Sequence, residues 1–529
     1  MKKYLFLFLF LFSALSFGQY SPSSERGIDI LKYNFKIKIH SENDSINAKA
    51  IILFRALKDT RKFQLDFASK NSHGKGMEIK KLKINGKEWK KFVHKNDKLS
   101  VTYSLYKKDT VSMEIDYTGI PADGLIISKN KYGKKSFFGD NWPNRAHQWL
   151  PVVDHPSDKA LVSFEIIAPK DMDVIASGKF LQRVRNEHSI TWLYQTDVPL
   201  ATKVMVFGAT PFHIKNYGMY HNIPVSGWIY KDAPVNGLDD YAVSMKILKY
   251  YDSLIGPYSY SKLANVQSKT RFGGMENAGN IFYYENSVDG NAKVENLIAH
   301  EIAHQWFGNS VTEKNWKDIW LSEGFATYLT DLYLEHTYGK KKLQERMKME
   351  RNKILRYNQF IHQPVVYEEK ENLMKLLNPN SYEKGAWVLH MLRNEIGDKA
   401  FFALLREFYG KYRNKNASTE DFIQLAEKIS NMDLKRFFNQ WLYKAGIPEI
   451  KISYAIKNKK IVLHIQQKGE LYQLDFPLLI TSDKDYKKLK LKINKENNTF
   501  DIPLRSTKNL KIIPDPDTET LVKSTLNTK

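Results

Sequence analysis

Two histidines four residues apart frame a glutamate in the stretch His300-Glu301-Ile302-Ala303-His304. On a helix that spacing puts both imidazoles on one face, one turn apart, within reach of a single metal ion. Glu301 projects away from that axis but stays close enough to hold a water beside the metal. Val294, Leu297, Ile298 and Ile302 surround the motif at helical spacing and predict a buried helix there. The histidines need a third partner. Glu323, within Trp320-Leu321-Ser322-Glu323-Gly324-Phe325-Ala326, lies 19 positions beyond His304, enough for a helix, a turn and an antiparallel return. Two His and one Glu, with water in the fourth position, make a catalytic zinc set. Its chemistry is hydrolysis, in which the metal acidifies water and polarises a carbonyl while the adjacent carboxylate moves the proton.

The sequence contains no cysteine. That excludes disulfides, thiolate nucleophiles and cysteine-ligated metal, so a metal site must be built from His and carboxylates. Two further segments stand out. In Gly273-Gly274-Met275-Glu276-Asn277 the glycines permit close approach of an extended ligand backbone, and Glu276 is a carboxylate that could pair with an ammonium group. In Ser381-Tyr382-Glu383-Lys384-Gly385-Ala386, Tyr382 by itself reads as a core or interfacial tyrosine.

Taken together, these four segments resemble the gluzincin zinc aminopeptidase family, of aminopeptidase N and leukotriene hydrolase type. The resemblance runs over roughly residues 25–450. It implies one Zn2+ per chain, held by His300, His304 and Glu323, and a metallo-aminopeptidase acting on peptides with free N-termini. It further implies Glu301 as general base and then acid, and Tyr382 as a hydroxyl donor to the oxyanion. Gly273, Gly274, Met275, Glu276 and Asn277 would bind substrate, with Glu276 holding the terminal ammonium. One departure stands out. Where the family carries a Thr-Gln pair, whose Gln helps hold the substrate amine and line the first pocket, this chain reads Phe138-Gly139-Asp140-Asn141-Trp142-Pro143, so Asp140-Asn141 stands in its place and either residue could substitute for that Gln. Rival readings are a thermolysin-type endopeptidase, an epoxide hydrolase and an inactive scaffold. The Gly273–Asn277 anchor argues against the first, and the intact ligand set against the last.

The elements that must position these residues follow from the hydrophobic period. The expectation is a multidomain α+β chain: an N-terminal antiparallel β domain at 25–208, a thermolysin-like, mostly helical catalytic domain at 209–445, and a small C-terminal β domain at 446–525. Tyr33, Phe35, Ile37 and Ile39 alternate with polar residues, as do Phe63, Leu65 and Phe67, and Met113, Ile115 and Tyr117. Runs at 161–167 and 204–207 read as further strands, and Asn85-Gly86 as a hairpin turn. Tyr241, Met245, Leu248 and Tyr251 then switch to helical spacing. After Gly446-Ile447-Pro448 alternation returns at Ile450, Ile452 and Tyr454, then Val462 and His464. With only about 80 residues after the catalytic region, a large helical domain is not expected and the cleft should be open.

Lys2 and Lys3 ahead of an apolar run predict a signal peptide at 1–18 and export to periplasm or medium. No other segment is apolar and long enough to span a bilayer. The formal charge of +23 comes from lysines that alternate with apolar residues along strands, which describes solvated faces; no nucleic-acid partner is expected.

Overall fold

The structure is a computed structural model that describes residues 23–291 and 293–528; the signal segment expected at 1–18 lies outside the described residues. The first part of the chain is β-rich. Its main sheet has nine strands. Seven of them run in the spatial order Lys179–Arg185, Ser189–Gln195, Lys159–Pro169, Ile28–Lys38, Ile46–Ala56, Thr110–Ile120 and Gly76–Ile84. The pairings are antiparallel except for Ile28–Lys38 against Lys159–Pro169, which is parallel. The alternating residues point as their period requires: Tyr33, Phe35, Ile37, Met113 and Ile115 are buried. Asn85 and Gly86 both take positive φ between the paired Ile84 and Lys87, the turn that Asn-Gly favours. The 204–207 run is not one strand: a 3-10 turn spans Thr202–Val204 and the strand begins at Phe207. A second, four-stranded sheet includes Lys135–Gly139, which delivers the chain to Asp140 and Asn141.

The middle of the chain is helical around one sheet. Its longer helices are α1 (Ser244–Ile255), α2 (Glu295–Ala303), α3 (Trp320–Tyr338), α4 (Lys340–Tyr357), α5 (Gly385–Ile396), α6 (Asp398–Tyr412) and α7 (Thr419–Ser430). Helix α3 is central, buried on every side from Trp320 to Leu334, and packs against α2, α4 and α5. A helix buried all round carries its polar residues only where partners await them.

The five-stranded sheet in this region has no counterpart in the sequence expectation. It runs Phe212–Tyr220, Ile223–Tyr230, Leu263–Ser268, Asn280–Tyr284, with Gly274–Met275 at the edge. Its inner strands pair in parallel, and Leu263–Ser268 is buried on both faces, so no period of two marks it.

Two lysines, Lys203 buried and Lys159 half-buried, fasten the β-rich first part to this region. Lys203 pairs with Glu313 at 2.6 Å, both side chains out of solvent. The Lys159 ammonium donates to the carbonyls of Asn309 and Ser310 at 3.0 and 2.8 Å, anchoring the loop that follows His304.

The C-terminal part forms two small sheets, one of four strands and one of three. Ile450 and Ile452 are buried as expected, but in the next strand Ile461, Leu463 and Ile465 face inward, whereas Val462 is half-buried and His464 exposed. Apolar residues occupy both faces at 461–463, so alternation alone does not choose the inner one. Among the described residues, no helix is long and apolar enough to cross a membrane.

Candidate active site

Helix α2 ends at Ala303, so His300 lies in its last turn and His304 caps it. Both ring Nε2 atoms face the same point, 3.1 Å apart. Glu323, in the first turn of α3, brings Oε2 to 3.6 Å from His300 Nε2 and 3.3 Å from His304 Nε2. Three donors at the corners of a tetrahedron with metal bonds of ~2.0–2.1 Å would stand about 3.3 Å apart. The observed spacings match, and the donor set suits zinc. The orientation of His304 is fixed from behind. Its Nδ1 lies 3.2 Å from the Ser322 hydroxyl and 3.3 Å from the Phe307 carbonyl, which leaves Nε2 for the centre. Gly308, at φ +118°, makes room for this arrangement: a Cβ there would stand 2.4 Å from Ser322 Oγ and 2.8 Å from His304 Nδ1.

The electrostatics point the same way. Glu276, Glu301 and Glu323 are buried together around His304. Burial pushes the Glu301 carboxyl well above the usual carboxylate range; His304 opposes this, and Glu276 and Glu323 add to it. Burial also disfavours charge on His304, but Glu323 outweighs it and the imidazole is pushed up to about 9. Glu323 is held below the usual carboxylate range because the two imidazoles, His304 first, overcome its burial. His300 is lowered, chiefly by burial. Three buried carboxylates facing two imidazoles are the charge balance that a divalent cation completes.

Tyr382 arrives from the other side. It sits on a π-helical turn, Asn380–Lys384, directly before α5, and its ring stacks on His300 with centroids 6.0 Å apart. Two glycines make this approach possible. A Cβ on Gly324 would stand 2.9 Å from Gly385 Cα and 3.1 Å from the Ser381 carbonyl, so α3 and the start of α5 touch backbone to backbone. Burial raises the Tyr382 phenol well above its ordinary value, which keeps it a hydrogen-bond donor.

The Gly273–Asn277 segment divides. Gly274, Met275 and Glu276 line the same cleft as His300, Glu301, His304, Glu323 and Tyr382, a cleft with about 310 Å³ of open space. Gly273 is exposed and Asn277 is fully buried, and neither lines it. Gly274 has a specific reason to be glycine, since a Cβ there would fall 2.3 Å from Glu301 Oε1. Gly274–Met275 forms the edge of the sheet, paired with Phe282 and Tyr283. Beyond it, the Glu276 carbonyl accepts from Gln305 Nε2 at 2.9 Å and from Asn309 Nδ2 at 2.5 Å. Glu276 Oε1 is buried and has no hydrogen-bond partner among the described residues. Gln305 and Asn309 did not emerge from the sequence reading, although both lie within five residues of His304 and a polar pair there signals a job inside the core.

Asp140 and Asn141 take other roles than amine ligands. Asn141 is fully buried, donating to the Thr202 and Met205 carbonyls at 2.9 and 2.7 Å and accepting from the Trp149 indole at 2.9 Å. Asp140 accepts from Arg145 Nη2 at 2.8 Å. The next residue along, Trp142, does line the cleft, together with Phe272 and Leu377. None of these three was singled out from the sequence.

Comparison with known proteins agrees with this geometry. Residues 240–441 match the Peptidase family M1 domain and residues 30–203 the Peptidase M1 N-terminal domain. The chain is 28% identical over 418 residues to probable aminopeptidase 2 of Sulfurisphaera tokodaii, covering 74% of this chain and 52% of that protein. It is 27% identical over 412 residues to glutamyl aminopeptidase of Bos taurus, covering 71% and 42%. The chain thus spans about half the length of the curated relatives it matches. In fold it is similar to an M1 zinc metallopeptidase of Deinococcus radiodurans, a mutant bound to a Tyr-Ser-Ala substrate, with a TM-score of 0.69 and 22% identity over 80% of this chain and 96% of that one. With both of the family's domains matched in order across the two regions that build the cleft, this chain belongs to peptidase family M1.

Proposed function

We propose that the chain is a zinc-dependent aminopeptidase that hydrolyses the N-terminal peptide bond of peptides. The observation that carries this reading is Glu276: a buried carboxylate with one oxygen unpartnered, in the same cleft as the His300, His304 and Glu323 donors. A buried carboxylate left without a partner is costly, and a substrate ammonium would supply one. Anchoring that ammonium places the first peptide bond, and no later one, over the metal end of the cleft.

His300, His304 and Glu323 would hold one zinc ion per chain. When bound there, zinc would supply Lewis-acid polarisation of the scissile carbonyl and a lowered pKa for the attacking water. Glu301 takes the water's proton on its carboxylate and delivers it to the leaving amine, as base and then acid. The Tyr382 hydroxyl donates to the oxygen that becomes negative in the tetrahedral intermediate. Gly274 keeps the edge strand against Glu301, so ammonium anchor and base stay at a fixed separation.

The test is hydrolysis of amino-acid chromogenic amides, with N-acetylated controls, before and after chelation and zinc return, with metal analysis for stoichiometry. Zinc-restored cleavage confined to free-amine substrates is expected. Cleavage of the acetylated controls would instead favour the endopeptidase. Export is part of the same reading, supported by the Lys2-Lys3 segment and its apolar run; an N-terminus of the cellular protein still at Met1 would count against it.

A further inference from the structure

We propose that the first substrate subsite is a fixed aromatic wall, Trp142 with Phe272, that selects large neutral N-terminal side chains, aromatic and leucine-like, over small or acidic ones. The inference rests on the aminopeptidase reading and names the substrate class for it.

Four apolar side chains line the cleft beside the catalytic groups: Trp142, Phe272, Met275 and Leu377. Trp142 and Phe272 meet edge to face, with centroids 6.1 Å apart and planes at 80°. Trp316 backs Trp142 in the same manner at 6.0 Å. The wall is held by charges that do not enter the cleft. Arg145 donates from Nε to the Trp142 carbonyl at 2.8 Å, lies over the Phe272 ring at 6.0 Å, and pairs with Asp140 and Asp123 at 2.8 and 3.1 Å. Arg271, next to Phe272, pairs with Asp123 at 2.7 Å. Two guanidinium groups are thus matched by two carboxylates. Asp140 serves this network as a positioning residue.

The consequence for specificity is a matter of charge and area. Among the described residues, no lysine or arginine lines the cleft, and its carboxylates number three: Glu276, Glu301 and Glu323. An acidic first side chain would add a fourth with no free cation to meet it, because Arg145 and Arg271 are already paired. A small side chain would leave the aromatic faces uncovered, forfeiting the burial that a Phe or Leu provides.

The experiment is the free-amine amide series on the zinc-loaded full chain, read as kcat/KM for Phe, Leu, Ala and Glu. Phe and Leu should exceed Ala by at least about tenfold and Glu by at least about a hundredfold. Phe272→Ala should shrink the Phe-to-Ala ratio about tenfold, since it removes the face that tells them apart. Ala or Glu ranked with or above Phe would overturn the subsite while leaving the aminopeptidase reading intact. Hydrolysis of none of the free-amine amides would overturn both. The ranking comes from the unaltered protein, so a misfolded variant cannot obscure it.

Discussion

The two ends of the cleft are built on different physical terms. The metal end is helical: His300 and His304 share one face of α2, Glu323 comes from α3, and Tyr382 sits at the entry to α5. Its geometry follows from local periodicity plus one close backbone contact, Gly324 against Gly385. The proposed amine end is the two-residue edge strand Gly274–Met275 followed by Glu276, whose carbonyl is held by side chains, Gln305 and Asn309, reaching from the loop after α2. Substitutions at the metal end should therefore change the rate of the chemical step, and substitutions at the amine end should change which substrates are held.

The sharpest way to break that division is at Glu301, which belongs to the metal helix yet touches the amine strand. Glu301→Gln should retain zinc by metal analysis and lower kcat by ~10³-fold or more, within the span of general acid–base catalysis. Appreciable remaining turnover would remove Glu301 as the base. Tyr382→Phe comes next, with kcat down ~10²-fold and KM little changed, the signature of one lost oxyanion donor. Gly385→Ala sharpens the point. Its new Cβ would meet Gly324 Cα at 3.0 Å, forcing α3 and α5 apart and moving Tyr382 without altering it. A kcat loss in the same direction as Tyr382→Phe, with zinc kept, is expected; a pure KM effect from either variant would contradict the oxyanion role.

This same contrast governs what could be read from the sequence. The metal end was legible because helical spacing is local: His at i and i+4 and the burial of Ile298 and Ile302 are fixed by a period of 3.6. The N-terminal strands were legible for the same reason with a period of two, as Tyr33, Phe35 and Ile37 attest. The five-stranded sheet was not, because Leu263–Ser268 is buried on both faces and its period is lost. Nor were the reasons for individual glycines. Gly274 is glycine because Glu301 fills its side-chain space, and Gly324 because another helix touches it, facts that exist only in three dimensions. The fate of Asp140 and Asn141 was hidden likewise, since their partners Arg145, Thr202 and Met205 are joined to them by folding.

At the amine end, Glu276→Ala should weaken discrimination between free and acetylated N-termini more than it lowers kcat on a good substrate. Discrimination that survives unchanged would move the anchor elsewhere.

Gln305 gives the smallest and most diagnostic effect. Its side chain joins both ends of the cleft, donating to the Glu276 carbonyl at 2.9 Å and to the Glu301 carbonyl at 3.3 Å, and accepting from Gly279 N at 2.9 Å. Gln305→Leu keeps the volume close but leaves the Gly279 N–H without its acceptor, while Asn309 still holds the Glu276 carbonyl. The loss of these three neutral hydrogen bonds, one of them long, should raise KM about five- to tenfold. Because α2 loses only the long 3.3 Å contact at the Glu301 carbonyl, kcat at saturation should hold within about twofold. A fall in kcat with KM constant would mean that Gln305 acts through α2 and Glu301, and the two ends of the cleft would then be one mechanical unit.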